Sequence, residues 1–329
     1  MAVRFLRPLR MDFRIVNVVF FGTASFGLPT LAAINASDRH RLIGLVTGMD
    51  KPKGRGQHLT PTPVGRWAMD VGLAPVLKPE RLGAPDFITA LRTLPADVYV
   101  VVAFRILPES VFTIPRYALN LHASLLPAYR GAAPIQRALM AGETQTGVTT
   151  FLLAKTVDSG AVLVQRTTDI DPDENAGQLA DRLAHLGAEA VIATLDLLAT
   201  GQARPLPQDD ARTSQAPKIT SADLCLDLTG SATEAINRIR ALAPEPGAVV
   251  RIGGQVLKVL ALRYAGPRQP EDQPGEIVLA DPRQGIIVAT ADGRVAIERL
   301  QAPGKRAQTG AEFVRGHRIQ RNDRIAPPA

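Results

Sequence analysis

Cysteine is almost absent from this chain of 329 residues. The one thiol, Cys225, excludes an internal disulfide framework and a multi-cysteine metal site. No metal ion is expected. Such scarcity suits a reducing compartment, and a cytoplasmic location is the expectation. No apolar run reaches the roughly 18–20 residues that a membrane-spanning helix needs, so no membrane association is expected. Internal repeats and low-complexity segments are missing too. The G-x-G-x-x-G fingerprint of a dinucleotide site is absent, since GTASFG at 22–27 departs from it. Acidic residues fall short of basic ones, 31 against 38, leaving a net charge of +7.

What is present reads as a soluble, globular protein: 46% hydrophobic and 21% charged residues. The length exceeds one ordinary core, so two domains are expected. The positive balance suits a polyanionic partner, because nucleic-acid binding leans on Lys and Arg against phosphates. Residues 1–10, MAVRFLRPLR, add three arginines and no acid. They are too short for a signal peptide with an apolar region. Met11 reads as an equally good start, which would make those ten residues an extension.

The first two hundred residues alternate apolar runs with helix-like segments. RIVNVVFFG (14–22), RLIGLVTG (41–48), DVYVVVAF (97–104) and YALNLH (117–122) read as buried strands. Strands separated by helices imply βαβ units and a mostly parallel sheet. Ligands bind such sheets outside the carboxyl ends of the strands. A helix is expected over 173–200, capped by Asp171 with Glu174 completing a capping box. Its apolar face would be Leu179, Leu183, Leu186, Ala190 and Leu197. Residues 201–218 are polar, proline-bearing and aperiodic, and read as a linker. After it comes one helix with Ser231 and Glu234 spaced as a capping box. Roughly five short strands around Gly-rich turns then suggest a small β-barrel of the oligonucleotide-binding (OB) type. The domains expected are therefore 11–200, an α/β unit of Rossmann-like kind, and 219–320, the barrel.

The segment NLHASLLPAYRGAAPIQ (120–136) holds the candidate chemistry. Residues two apart on a strand share a face, so Asn120 and His122 point the same way at a carboxyl end. Histidine can donate, accept or change charge near neutral pH, and the Asn amide offers a fixed donor. Together they can hold an oxyanion or position an amine. Position alone equally allows a core histidine and a capping asparagine. Asp158, in TVDSG, is either a carboxylate that orients His122 or plain turn chemistry. Ser124-Leu125-Leu126-Pro127 puts apolar surface in a loop. Its backbone and leucines could face a flat heteroaromatic ring, or the loop could be a structural one packed against the core. KPKGRGQHLTPTP (51–63) holds Lys51, Lys53 and Arg55 with no acid, and could follow phosphates.

In this order these residues resemble the formyltransferases that use 10-formyltetrahydrofolate. The resemblance starts at FFGTASFGLPTL and continues through GRGQHLTPTPV. It then takes in Asn120-Leu121-His122, Ser124 to Pro127, Arg130-Gly131-Ala132-Ala133-Pro134-Ile135 and Asp158-Ser159-Gly160. It closes with GKR at 304–306 and EFVRGHRI at 312–319, nearly the whole chain. The basic loop and the C-terminal region resemble the branch whose acceptor is methionyl-tRNA. The resemblance implies that Asn120, His122 and Asp158 are catalytic and that Ser124, Leu125, Leu126 and Pro127 bind folate. It implies that Lys53 and Arg55 engage the tRNA acceptor end and that the C-terminal barrel holds the tRNA body. A monomer is expected. The chain departs from the family at Phe104-Arg105, where Tyr-Gly is frequent, at Gln57 and His58, where lysines are usual, at Ala24 and at Glu245. A sugar-nucleotide N-formyltransferase would share the first domain. A 10-formyltetrahydrofolate hydrolase would use much the same trio with water as acceptor.

Overall fold

β-Branched and aromatic residues build the first strand, and Val18, Val19, Phe20 and Phe21 are all fully buried within it. Burial on both faces marks the centre of a sheet. The computed structural model describes residues 14–53 and 57–326. In chain order the first strands are β1 (Val16–Gly22), β2 (His40–Val46), β3 (Lys51–Lys53), β4 (His58–Thr60) and β5 (Val76–Leu77). They are followed by β6 (Val98–Val102), β7 (Tyr117–His122), β8 (Arg130–Gly131), β9 (Gln145–Leu152) and β10 (Val162–Asp169). The helices among them are α1 (Leu28–Asn35), α2 (Pro63–Val71), α3 (Pro85–Arg92), α4 (Glu109–Phe112), α5 (Pro134–Ala141) and α6 (Ala176–Ala199).

Seven strands form one sheet in the order β10-β9-β7-β6-β1-β2-β5. β1 pairs parallel with β2 and β6, β2 with β5, and β6 with β7. β9 runs antiparallel to β7. The four strands expected from apolar runs are therefore present, in a mostly parallel sheet. The chain moves outward from β1 through β2 to β5, then returns to the other side of β1 with β6. The carboxyl ends on either side of that reversal are where such a sheet opens a crevice.

α6 corrects the expected cap. Asp171 and Glu174 do bond, Glu174 accepting from the Asp171 backbone at 2.9 Å, but they close a turn ahead of the helix. The helix starts one turn later. Asn175 Oδ1 accepts from the Gln178 backbone N–H at 3.1 Å, and Gln178 Oε1 accepts from that of Asn175 at 3.0 Å. This is a reciprocal capping box. The buried face also shifts: Leu179, Leu183, Ala184, Ala188, Val191 and Leu195 are inside, whereas Leu186 and Leu197 are half-buried. Gly187 on this face has no Cβ, and one added there would press into Leu121 of β7.

The later elements are β11 (Gln215–Ala216), β12 (Ala248–Ile252), β13 (Gln255–Pro267), β14 (Ile277–Asp281), β15 (Gly285–Ala289), β16 (Gly293–Gln301) and β17 (Gln308–Thr309). Helices α7 (Ser221–Leu224), α8 (Ala232–Leu242) and α9 (Gly310–Gly316) accompany them. α8 carries the expected capping box at Ser231 and Glu234. Five strands run β12-β13-β16-β15-β14, with β17 on β16. The neighbouring strands of this sheet pair antiparallel. The edge strands β12 and β14 do not form a ladder with each other. Single bridges join Arg251 of β12 to Ala326, and Glu276, just before β14, to Arg324. Leu257, Val259, Ile286, Val288, Val295 and Leu300 fill the centre of this sheet's core.

By contacts the chain divides into two units whose segments interleave. One holds the described residues up to 128, with 147–167 and 182–213. The other holds 129–146, 168–181 and the residues from 214 onward. Within the second, β11 pairs parallel with β8, so part of 201–218 has strand structure. Gly131 lies in β8, and α5 begins at Pro134. Among the described residues no helix is long and apolar enough to cross a membrane.

Candidate active site

β7 ends in two polar side chains for a structural reason. The strand is buried, and its alternation turns Asn120 and His122 to one face while Leu119 and Leu121 fill the other. β9 flanks it, with Asn120 opposite Phe151 and His122 opposite Thr149. The Phe151 ring meets the His122 ring edge-on, centroids 6.5 Å apart. His122 is buried, and Asn120 is half-buried. The Oδ1 atom of Asn120 is buried with no hydrogen-bond partner. A buried polar atom of that kind is costly in a finished structure and marks a position suited to a ligand donor.

Asp158 reaches the same place from the turn after β9. Its carboxylate Oδ2 lies 3.8 Å from His122 Nδ1, beyond a hydrogen bond and within ion-pair range. Both side chains are buried. Asp158 has φ of 54°, the left-handed region that Asp tolerates better than most residues. Three neighbours hold this turn. Ser159 Oγ donates to the Thr156 carbonyl at 2.9 Å. Gln208 Nε2 donates to the carbonyls of Asp158 at 2.9 Å and Gly160 at 2.8 Å. Gly160 itself lies so close to β9 that a Cβ would overlap the Leu152 carbonyl oxygen. Gln208 comes from a stretch that the sequence marks only as polar and aperiodic, so nothing local points to it.

The loop after β7 combines its two expected forms. Leu126 is buried in the protein, and only Leu125 and Pro127 are half-exposed. The Leu126 N–H donates to Thr149 Oγ1 at 3.1 Å, and its carbonyl accepts from Gln165 Nε2 at 2.6 Å. Thr149 Oγ1 also donates to the Ser124 carbonyl at 2.7 Å, and Ser124 Oγ donates to the Ala128 carbonyl at 2.6 Å. The expected presentation of backbone groups and both leucines to a ring therefore narrows. Leu126 anchors the loop, which leaves Leu125 and Pro127 as its accessible apolar surface. Thr149 and Gln165 are site-shaping residues that no local motif marks.

Beyond the ends of β1 and β2 lies a groove of about 610 Å³, lined by residues that include Thr23, Gly48, Lys51, Thr62 and Arg105. β3 and β4 pair antiparallel beside it. Lys53 lies in β3, and Arg55 lies outside the described residues. Among the described residues no group of three or more His, Cys, Asp or Glu could hold a metal ion.

This polar cluster sits at the carboxyl end of β7 in a seven-stranded, mostly parallel sheet, and comparison with known proteins gives the class of enzyme. A model of the formyl transferase family matches residues 14–195, and one for the formyl transferase C-terminal domain matches 218–318. The chain belongs to the formyl transferase family, as its motifs lead one to expect. Among its relatives is a methionyl-tRNA formyltransferase of Geobacter sulfurreducens, 40% identical over 312 residues, which are 94% of this chain and 96% of the relative. Another, of Halorhodospira halophila, is 44% identical over 305 residues, 92% and 97% of the two chains. Solved structures share the fold at lower identity. HypX from Aquifex aeolicus in complex with tetrahydrofolic acid superposes with a TM-score of 0.62 at 17% identity over 92% of this chain. This chain spans 47% of that longer protein. An N-formyltransferase from Helicobacter canadensis, in complex with folinic acid and dTDP-3-aminofucose, has a TM-score of 0.62 at 14% identity, covering 88% and 99% of the chains.

Proposed function

We propose that this protein transfers a formyl group from 10-formyltetrahydrofolate to the α-amine of methionyl-tRNA. The observation that carries the reading is its likeness, across nine-tenths of both chains, to proteins named for that reaction. A cytoplasmic place of action goes with a tRNA acceptor.

The residues supply what such a transfer needs. The amine must be neutral to attack, and an α-amino group with an unperturbed pKa of about 7.7–8.0 is partly so at neutral pH. Asn120 Oδ1, buried without a partner, is suited to accept from an N–H of the attacking amine. Its Nδ2 and the His122 ring are suited to donate to the formyl oxygen, where negative charge grows. Each well-placed donor of this kind is worth about 3–4 kcal/mol. Asp158, 3.8 Å from His122, orients the ring and takes the proton lost by the amine, directly or through water. Such contacts commonly tighten when substrate binds. Collapse of the tetrahedral intermediate then breaks the formyl C–N10 bond, and that proton passes to N10 as tetrahydrofolate leaves. The half-exposed Leu125 and Pro127 fit the flat face of the heteroaromatic ring of a folate, which supplies the activated formyl group.

The direct test is formyl transfer from 10-formyltetrahydrofolate to methionyl-tRNA, with a control lacking the tRNA. Product that forms only with the tRNA present supports the reading, and equal donor consumption without it makes the protein a hydrolase. His122→Asn and Asp158→Asn should each lose at least about a hundredfold in kcat while the circular dichroism spectrum is unchanged. Near-normal turnover in either variant would remove that residue from the mechanism.

A further inference from the structure

Two parts of the candidate site hang on the same pair of strands. β9 and β10 are neighbours at one edge of the seven-stranded sheet, and the segment joining them carries Asp158. The loop from Ser124 to Pro127 is bound to the same two strands, through Thr149 of β9 and Gln165 of β10. Consecutive threonines on β9 face opposite sides. Thr150 turns to α6, where its Oγ1 lies 2.7 Å from Thr194 Oγ1, and it accepts from the Val164 N–H of β10 at 3.1 Å. Thr149 stands opposite His122 and turns to the face that holds Asn120 and His122.

The bonds around Thr149 form a closed set. A hydroxyl has one donor and two acceptor sites, and here all three are used. Oγ1 donates to the Ser124 carbonyl at 2.7 Å, and accepts from the Leu126 N–H at 3.1 Å and from Gln165 Nε2 at 3.0 Å. The second N–H of the Gln165 amide donates to the Leu126 carbonyl at 2.6 Å. An amide turned the other way would set an oxygen against that carbonyl, so the bonds fix its orientation. The backbone N–H and carbonyl of Leu126 are both held in this way, which aims the half-exposed Leu125 and Pro127 on either side of it. Leu125 has a further seat. Gly147 of β9 lacks a Cβ, and one added there would press into Leu125 Cδ2. Gln165 itself is exposed, so no core depends on its side chain.

We propose that Gln165 is a positioning residue for the formyl donor. It locks the loop that seats the donor's ring to the strand pair whose connection carries Asp158, so seat and carboxylate share one support. The inference rests on the reading above, in which Leu125 and Pro127 take the folate ring. A loop fixed before the donor arrives loses less freedom when it binds, and the difference is expressed as donor affinity. Gln165 acts through Leu126 and Thr149 and touches neither substrate. Its loss therefore weakens the donor's seat and leaves the acceptor's contacts as they were.

Titration with tetrahydrofolate, together with steady-state kinetics for both substrates, tests this. Gln165→Ala should raise the Kd for tetrahydrofolate and the KM for 10-formyltetrahydrofolate about five- to tenfold, the change that loss of about one net hydrogen bond carries. KM for methionyl-tRNA should stay within about twofold. Gln165→Glu keeps the size of the side chain but its carboxylate offers no N–H, so it should lose at least as much. A packing role would instead leave Gln165→Glu close to the wild type. Thr149→Ser retains the hydroxyl and should bind tetrahydrofolate within about twofold of the wild type. Thr149→Val and Gln165→Ala share one bond, so their losses should not add in the double variant. A rise confined to the KM for methionyl-tRNA would turn the loop to the acceptor, and unchanged donor values in Gln165→Ala and Gln165→Glu would make the bonds purely structural. Either result overturns the proposal, as does a wild-type protein that fails to bind tetrahydrofolate. If the wild type binds tetrahydrofolate but forms no formylmethionyl-tRNA, the reading of its acceptor fails, and the Kd values alone decide the role of Gln165.

Discussion

Gln208 does more for the candidate site than its surroundings suggest. One amide nitrogen ties the carbonyls on both sides of Ser159, and so sets where the Asp158 carboxylate stands relative to His122. Truncating it leaves the reacting groups in place and loosens their support. Gln208→Ala should therefore lower kcat about tenfold or more while substrate KM values move little, since small misplacements of catalytic groups are costly. Unchanged kcat would mean that Gly160 and Ser159 hold the turn alone. His40 shows the same scale acting on stability. It is fully buried, and its Nε2 lies 3.0 Å from Asp196 Oδ1 while Nδ1 has no partner. Burial holds its pKa below the ordinary 6.5, the contact with Asp196 offsetting only part of that effect. The unfolded chain takes up this proton first as pH falls, so the stability is present at neutral pH and declines below about 6.5. The decline has a limiting slope of about 1.4 kcal/mol per pH unit. Chemical denaturation from pH 7 to pH 5 should show the decline, and His40→Gln should flatten it.

Elements place these side chains, and their ends are set by local hydrogen bonding. α6 illustrates how two caps can compete in one sequence. Asp171-Pro172-Asp173-Glu174 has the right spacing, but the helix adopts Asn175 and Gln178 one turn on. Asn175→Ala should thus cost about 1 kcal/mol in thermal or urea unfolding. Asp171→Ala should cost less, because its bonds close only the preceding turn. The reverse order would restore Asp171 as the cap. The loop from Ser124 to Pro127 follows a similar logic. Its shape is set by Thr149 on β9 and Gln165 on β10, side chains more than twenty positions away in the chain.

For the whole molecule, the dominant quantity is the net charge of +7. Each phosphate neutralised by Lys or Arg releases counterions, so affinity for RNA falls linearly on a log–log plot against salt. KM for methionyl-tRNA should rise steeply between about 50 and 200 mM salt, while KM for the small folate donor changes far less. A tRNA KM insensitive to salt would argue against phosphate contacts. Both units contribute basic residues, and each has its own aliphatic core, as the length of the chain implies.

By itself the sequence determined the strands of the parallel sheet, because each is a short apolar run whose pattern needs no partner to be seen. It also determined the α8 cap, a strictly local motif, and it holds Asn120, His122 and Asp158 in an order that resembles the family's pattern. Only the tertiary structure decided that Asp158 stands beside His122, since a turn 36 positions downstream reaches β7 through the β9 pairing. It alone placed Gln208, Thr149 and Gln165 at the site. Those residues act through long-range hydrogen bonds to backbone carbonyls. Such bonds depend on where two strands and a loop meet in space, and spacing along the chain carries no trace of them.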